Sequence, residues 1–111
     1  MAMDKYFLHG RDVIPEPDLL AWARWFESGE DRIVKQETIG PMEVSTVFLG
    51  LDHNYGSEGP PILFETMIFG IPETEKENFY QTRCATYEQA EAMHARAMEW
   101  AKSLFSSEVM I

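Results

Sequence analysis

A chain of 111 residues, 45% of them hydrophobic and 13% aromatic, is sized for one domain with a single core and is too rich in large apolar groups to be disordered. Nineteen acidic residues against nine basic ones leave a formal charge of −10. A field of that sign repels phosphate backbones, so the expectation is no nucleic-acid partner and a preference for cationic ones.

The single cysteine, Cys84, has no partner for an internal disulfide and cannot build a Cys-based zinc cluster, which reads as inert packing in a reducing compartment. The opening MAMDKYFLHG lacks the apolar run of a signal peptide, and no stretch approaches the roughly 20 apolar residues of a membrane span. No membrane contact and a cytoplasmic setting are therefore expected.

In chain order, Lys5 to His9 reads as a short strand, and Gly10 with Val13-Ile14-Pro15 as an extended segment after it, because a residue before proline is pushed out of the helical region. Pro17 suits a first helical turn. Leu19, Trp22, Ala23 and Phe26 then recur at helical spacing, with Trp25 on the margin and Arg24 and Ser28 opposite, which predicts an amphipathic helix closed by Gly29. Its aromatic stripe reads as core rather than as a ligand box.

Residues Arg32 to Thr38 and Glu43 to Leu51 read as two strands about a tight Gly40-Pro41 turn, and Ile62 to Phe69 as a third. A fourth, Asn78 to Cys84, follows an acidic turn from Pro72 to Glu77. Thr86 opens a Thr-Tyr-Glu-Gln capping box with Gln89, and the helix behind it runs to about Phe105. Its apolar arc is Tyr87, Ala90, Met93, Ala97, Trp100, Ala101 and Leu104, with Glu88 and Glu91 near the start and Lys102 near the end, as the helix dipole favours. The predicted fold is a single α+β domain over residues 1–111: an antiparallel four-stranded meander with two packed helices and a short N-terminal strand.

Pairing Leu51 with Ile62 would put Val47, Leu49, Leu51, Ile62, Phe64 and Ile68 on the helix side of the central hairpin. Thr46, Phe48, Gly50, Leu63, Met67 and Phe69 then lie on the other side, with Glu65 opposite Phe48; a slip of one residue redistributes these sets. Both sides are rich in apolar residues, and two helices cover one face fully or each in part, so an uncovered remainder is a candidate partner or dimer surface.

The connection from Leu51 to Pro61 exceeds the two to five residues that reversal needs. Asp52 and Asn54 are the residue types that cap turns, and Tyr55 at the tip suits an anchor. The candidate binding residues are therefore Asp52, His53, Asn54, Tyr55, Glu65 and Phe48. Asp52, His53 and Glu65 are also the residue types that hold a divalent metal or pass protons, but His9, His53 and His94 are each isolated from paired ligands. No catalytic residue, metal or cofactor is assigned on this evidence, and His94, inside the apolar arc, reads as a core histidine bonded to a neighbour.

Three stretches, DLLAWARWFESGEDRIV, VSTVFLGLDHNYGSEGPPILFETMIFG and YEQAEAMHARAMEW, together resemble a family of small uncharacterised bacteriophage and prophage proteins. The resemblance covers more than half of the chain in one order. It implies an accessory protein in the cytoplasm of an infected host cell that works by binding a host or defence factor, and it brings no activity, cofactor or catalytic residue with it.

The leading expectation is thus a non-enzymatic binding module with a protein partner, a host factor or a second copy. One alternative is a small-molecule binder or sponge built from Trp22, Trp25, Phe48 and Tyr55, with Arg24 or Arg83 on an anion. Another is a minor enzyme using Asp52, His53 and Glu65. The absence of repeats and coiled-coil heptads speaks against a virion component.

Overall fold

In the computed structural model, which describes residues 4–28, 32–54, 58–75 and 79–109, the alternating segments pair into two antiparallel sheets. Gly29, Tyr55, Gly56, Glu77 and Asn78, to which the sequence assigns a helix stop, a loop tip, the end of an acidic turn and the start of the fourth strand, lie outside the described residues. The first sheet is a hairpin of β1, Tyr6–His9, and β2, Asp12–Pro15. The segment expected to be merely extended pairs back on the strand before it, because Gly10 takes a φ of +63° and closes a two-residue turn.

Helix α1, Leu19–Ser28, starts two residues after Pro17, which lies ahead of the cap and not in the first turn. Asp18 is its cap: the Oδ1 oxygen accepts from the Leu20 and Ala21 amides at 2.9 and 3.2 Å. Its packing face is centred on Trp22, Trp25 and Phe26, and Leu19, expected inside, is exposed. The Trp25 ring meets Phe48 edge-on at 5.6 Å, and the Trp22 indole donates to the Tyr6 and Gly50 carbonyls at 3.0 and 3.1 Å. The indole thereby ties α1 to both the hairpin and the main sheet.

That main sheet has the order β3-β4-β5-β6, with β3 Ile33–Ile39, β4 Met42–Phe48, β5 Phe64–Phe69 and β6 Tyr80–Cys84. The four-stranded meander, the two helices and the N-terminal strand are the α+β architecture that the sequence predicts. Gly40, at φ +56°, supplies the positive φ that a two-residue hairpin takes at its first turn position, and Pro41 follows in the β3–β4 turn. Helix α2, Tyr87–Val109, is capped as its sequence requires: Thr86 Oγ1 accepts from the Gln89 amide at 3.1 Å and Gln89 Oε1 accepts from the Thr86 amide at 3.2 Å.

The register of the central hairpin differs by one residue from the Leu51–Ile62 pairing. Phe48 faces Phe64, Thr46 faces Thr66 and Val44 faces Ile68, so Glu65 lies opposite Val47 and not Phe48. The slip exchanges the faces of β4, while Phe64 and Ile68 of β5 keep the helix side. Phe48 therefore points into the core with Met42, Val44, Phe64 and Ile68, while Val47 turns outward with Met67 and Phe69.

Two apolar clusters fill the helix side. Leu8, Phe48, Leu63, Phe64, Ala90 and Met93 form one, and Met42, Val44, Ile68, Ala97, Met98 and Ala101 the other. The fully buried Ala90, Ala97 and Ala101 let the α2 backbone lie close to the strands. Cys84 packs beside the first cluster, and burial pushes its thiol up, away from the thiolate that a nucleophile needs.

Gly70 ends β5 at φ +78°, and a Cβ there would fall well inside contact distance of the Pro41 carbonyl oxygen, whereas a Cβ on Gly10 meets nothing within 4 Å. Both glycines sit where a side chain is strained, but only Gly70 also abuts backbone. Gly10→Ala should cost about 1 kcal/mol and Gly70→Ala at least twice that, read as urea midpoints at unchanged slope.

Candidate functional site

The overlong loop is shaped from within. Asp52 Oδ1 accepts from the Asn54 amide at 2.7 Å and from the Ile62 amide at 2.9 Å, so one carboxylate joins the two arms of the loop. Asn54 Nδ2 donates to the Glu58 and Pro60 carbonyls at 3.3 and 3.2 Å, and the His53 amide donates to the Ile62 carbonyl at 2.9 Å. The N-terminal segment laces the base, Asp52 N–H donating to the Asp4 carbonyl at 3.1 Å and Tyr6 N–H to that of Gly50 at 2.9 Å.

Glu65 does not join this cluster. It stands on the outer face of the sheet, where its Oε2 accepts from Gln81 Nε2 at 2.7 Å and Arg83 Nε at 2.8 Å. Among the described residues no group of three His, Cys, Asp or Glu side chains is placed to hold a metal ion, so Asp52, His53 and Glu65 do not assemble as one. Phe48, fully buried, offers no surface to a partner; the half-buried Trp25 packs edge-on against it, and Trp22 stacks on Phe26.

The polar centre lies elsewhere. His94, 2% exposed, projects from α2 onto the middle of the sheet. Its Nδ1 is 2.7 Å from Thr46 Oγ1, which is bonded in turn to Thr66 Oγ1, and its Nε2 is 2.9 Å from Glu37 Oε1 on β3. The sheet register aligns Lys35, Thr46, Thr66 and Thr82 in one row beneath it. This row runs between the two apolar clusters. The arrangement resembles a hydroxyl-imidazole-carboxylate triad, but the Thr46 hydroxyl is fully buried and bonded on both sides, which removes it as a nucleophile.

Beside this row a groove of about 400 Å³ opens between β3 and α2, walled by Val34, Lys35 and Glu37 on the strand and Tyr87, His94 and Met98 on the helix. The His94 ring, with Lys35 at 3.4 Å as a second partner, holds the Glu37 carboxyl below the usual carboxylate range against the opposing effect of desolvation. At the Tyr87 end, Arg11 from the β1–β2 turn pairs with Glu91, and its guanidinium lies 4.6 Å from the centroid of the Tyr87 ring. That pair lowers the Glu91 carboxyl in the same way. At the far end Lys102 stands 3.8 Å from Glu99.

The second feature is the sheet face away from both helices. The core clusters, with the helix and hairpin residues in them, all lie on the other side. On the outer face Phe69 and Ile33 are 50% and 51% exposed, beside the half-buried Val47 and Met67. Polar pairs flank them: Glu65 with Arg83 and Gln81, and Gln36 with Glu43 at 2.6 Å. The sequence expects a largely apolar second face, and the register correction makes it a mixed one.

Sequence reasoning finds His94 as a bonded core histidine but misses Glu37 and the groove. Glu37 is 57 residues away from His94, and an acid on a solvated strand carries no local sign of a buried partner. No helix among the described residues is long and apolar enough to cross a membrane. Comparison with family models, curated proteins and solved structures finds no match.

Two near-isosteric changes within the polar row should have different outcomes. Thr46→Val leaves the His94 ring nitrogen and the Thr66 hydroxyl short of a partner and should cost about 1–3 kcal/mol. Thr82→Val removes a buried hydroxyl that has no hydrogen-bond partner and should be neutral or stabilising. Calorimetric melting of the two variants checks the pair.

Because the Glu37 carboxyl is lowered in the folded state, its contribution is present above the ordinary glutamate value of about 4.3 and is lost as pH falls through the lower folded value. Glu91, lowered by Arg11, adds to the same acid limb. Glu37→Gln should flatten the fall in stability below that ordinary value, measured as urea midpoints across an acid pH series.

Proposed function

We propose that this chain is a small acidic binding module that docks a protein partner on the open face of its sheet and does not turn over a substrate. The observation that carries the reading is one-sided packing: both helices and the N-terminal hairpin pack on one face, while Ile33, Val47, Met67 and Phe69 stand on the other. Apolar groups ringed by hydrogen-bonded polar ones are the composition of a docking patch with a polar rim. The loop from Leu51 to Pro61 is the second contact in this reading, its described arms tied together by Asp52 and Asn54.

The partner is a basic protein surface. A chain of charge −10 attracts cationic surfaces at long range, and two copies of it would meet against their own repulsion, which favours a foreign partner over a homodimer. The resemblance to bacteriophage and prophage proteins adds the setting: the cytoplasm of an infected host cell, with a host or defence factor as the target that the module inhibits.

Light scattering should give the monomer mass of 12.8 kDa. Affinity capture from host lysate should recover one defined protein that is lost with the Met67→Asp, Phe69→Asp double variant and retained with Arg24→Ala. A dimer mass, or capture indifferent to the double variant, would remove the open face from the proposal.

A further inference from the structure

The groove between β3 and α2 is a second site, separate from the open face. We propose that it takes an extended basic segment of a partner protein, laid along the free edge of β3 as an added strand, with one cationic side chain taking the place that Arg11 holds on Tyr87 and Glu91.

The strand edge comes first. β3 is the first strand of the sheet order and pairs with β4 alone among the described strands, so its outward amides and carbonyls have no ladder partner there. A register shift between Ile33 and Lys35 breaks the regular ladder at the strand's start, which leaves Lys35 to Ile39 as the regular stretch on which another strand can form. Beside it stands one stripe of α2, from Tyr87 through Glu91, His94 and Met98 to Lys102. At the rise of an α-helix this stripe is about 22 Å long, close to the length of the seven-residue strand it faces. A sheet edge beside a helix, with a groove between them, is the geometry in which extended peptides add as strands: main-chain bonds hold them and the groove reads alternate side chains.

The charge of the occupant is written at the groove's end. Arg11 is the chain's own guanidinium on that subsite, in contact with a carboxylate and an aromatic face at once. Both members of the Arg11–Glu91 pair are more than half, or half, exposed, so an incoming cation exchanges one solvated ion pair for another. The net charge draws a basic segment in and opposes the alternative occupant, a second copy pairing β3 against β3. A phosphate-bearing ligand is opposed by the same field.

The test uses the full chain and a capped octapeptide of alternating arginine and valine. Two controls accompany it: the glutamate-valine counterpart, and an arginine-valine peptide N-methylated on alternate amides, which keeps the charge but cannot complete the ladder. The basic peptide should bind, the acidic one should not, and N-methylation should weaken binding at least tenfold. Hydrogen exchange should slow at outward amides within Lys35 to Ile39.

Arg11→Ala, which vacates the subsite, should tighten binding several-fold beyond Arg96→Ala, the same charge change on the opposite side of α2. Glu91→Gln should weaken it beyond Glu27→Gln on α1. Equal binding of the methylated peptide, no binding of the basic one, or identical effects of the paired variants would overturn the proposal. A dimer with the β3 amides protected in the absence of peptide would overturn it in favour of self-pairing. Met67→Asp, Phe69→Asp should leave peptide binding unchanged, so the open face and the groove fail or succeed separately.

Discussion

The chain of hydrogen bonds from Thr66 through Thr46 and His94 to Glu37 fixes how the helix layer sits on the sheet. An imidazole in a core must find partners for both ring nitrogens, because an unpaired buried polar atom costs about 1–3 kcal/mol. For a neutral imidazole one proton arrangement satisfies the whole chain: Thr66 donates to Thr46, Thr46 to Nδ1, and Nε2–H to the Glu37 carboxylate. The partners lie on β4 and β3, so α2 can neither rotate by one residue nor slide by one turn without losing them. Apolar contacts tolerate such shifts better, since one methyl group serves nearly as well as another. The two apolar clusters supply most of the burial, and the polar row between them selects the register.

The same row explains why the packing is one-sided. With Thr46 and Thr66 turned toward α2, alternation sends Ser45, Val47, Glu65 and Met67 to the opposite face. There Glu65, Arg83 and Gln81 form a hydrogen-bonded patch that a packed helix would have to desolvate. The sheet thus keeps a side that is stable against water without being purely polar. Ser45 is 9% exposed there, between Gln36 and Met67 in the register.

Much of this was legible in the chain because the signals are local. The Thr86 and Gln89 capping box, the Gly40-Pro41 turn and the alanines of α2 each follow from residues within a few positions of one another, and each stands where the pattern puts it. The central register was not legible. Val44 to Leu51 and Ile62 to Phe69 carry large apolar residues at both parities, so alternation alone does not choose a face. What chooses is Thr46, which the expected pairing turns outward and which His94 and Thr66 hold inward. The Asp52-His53-Asn54 cluster was ambiguous for another reason: turn capping and metal binding use the same residue types, and here Asp52 Oδ1 and Asn54 Nδ2 bond the loop's own backbone.

Glu37 connects the core to the groove. Its carboxylate completes the bonding of a side chain that is 3% exposed while itself being 36% exposed, and it forms part of the wall beside Lys35. A cation brought to that wall competes with His94 and Lys35 for the same oxygens, and a strand formed along Lys35 to Ile39 restrains the backbone that aims the carboxylate. Binding at the edge and order in the middle of the core therefore share one residue. Their coupling is a direct consequence of placing the last acceptor of a buried chain on an edge strand, where solvent and ligands reach it, instead of on β4 or β5, where they do not.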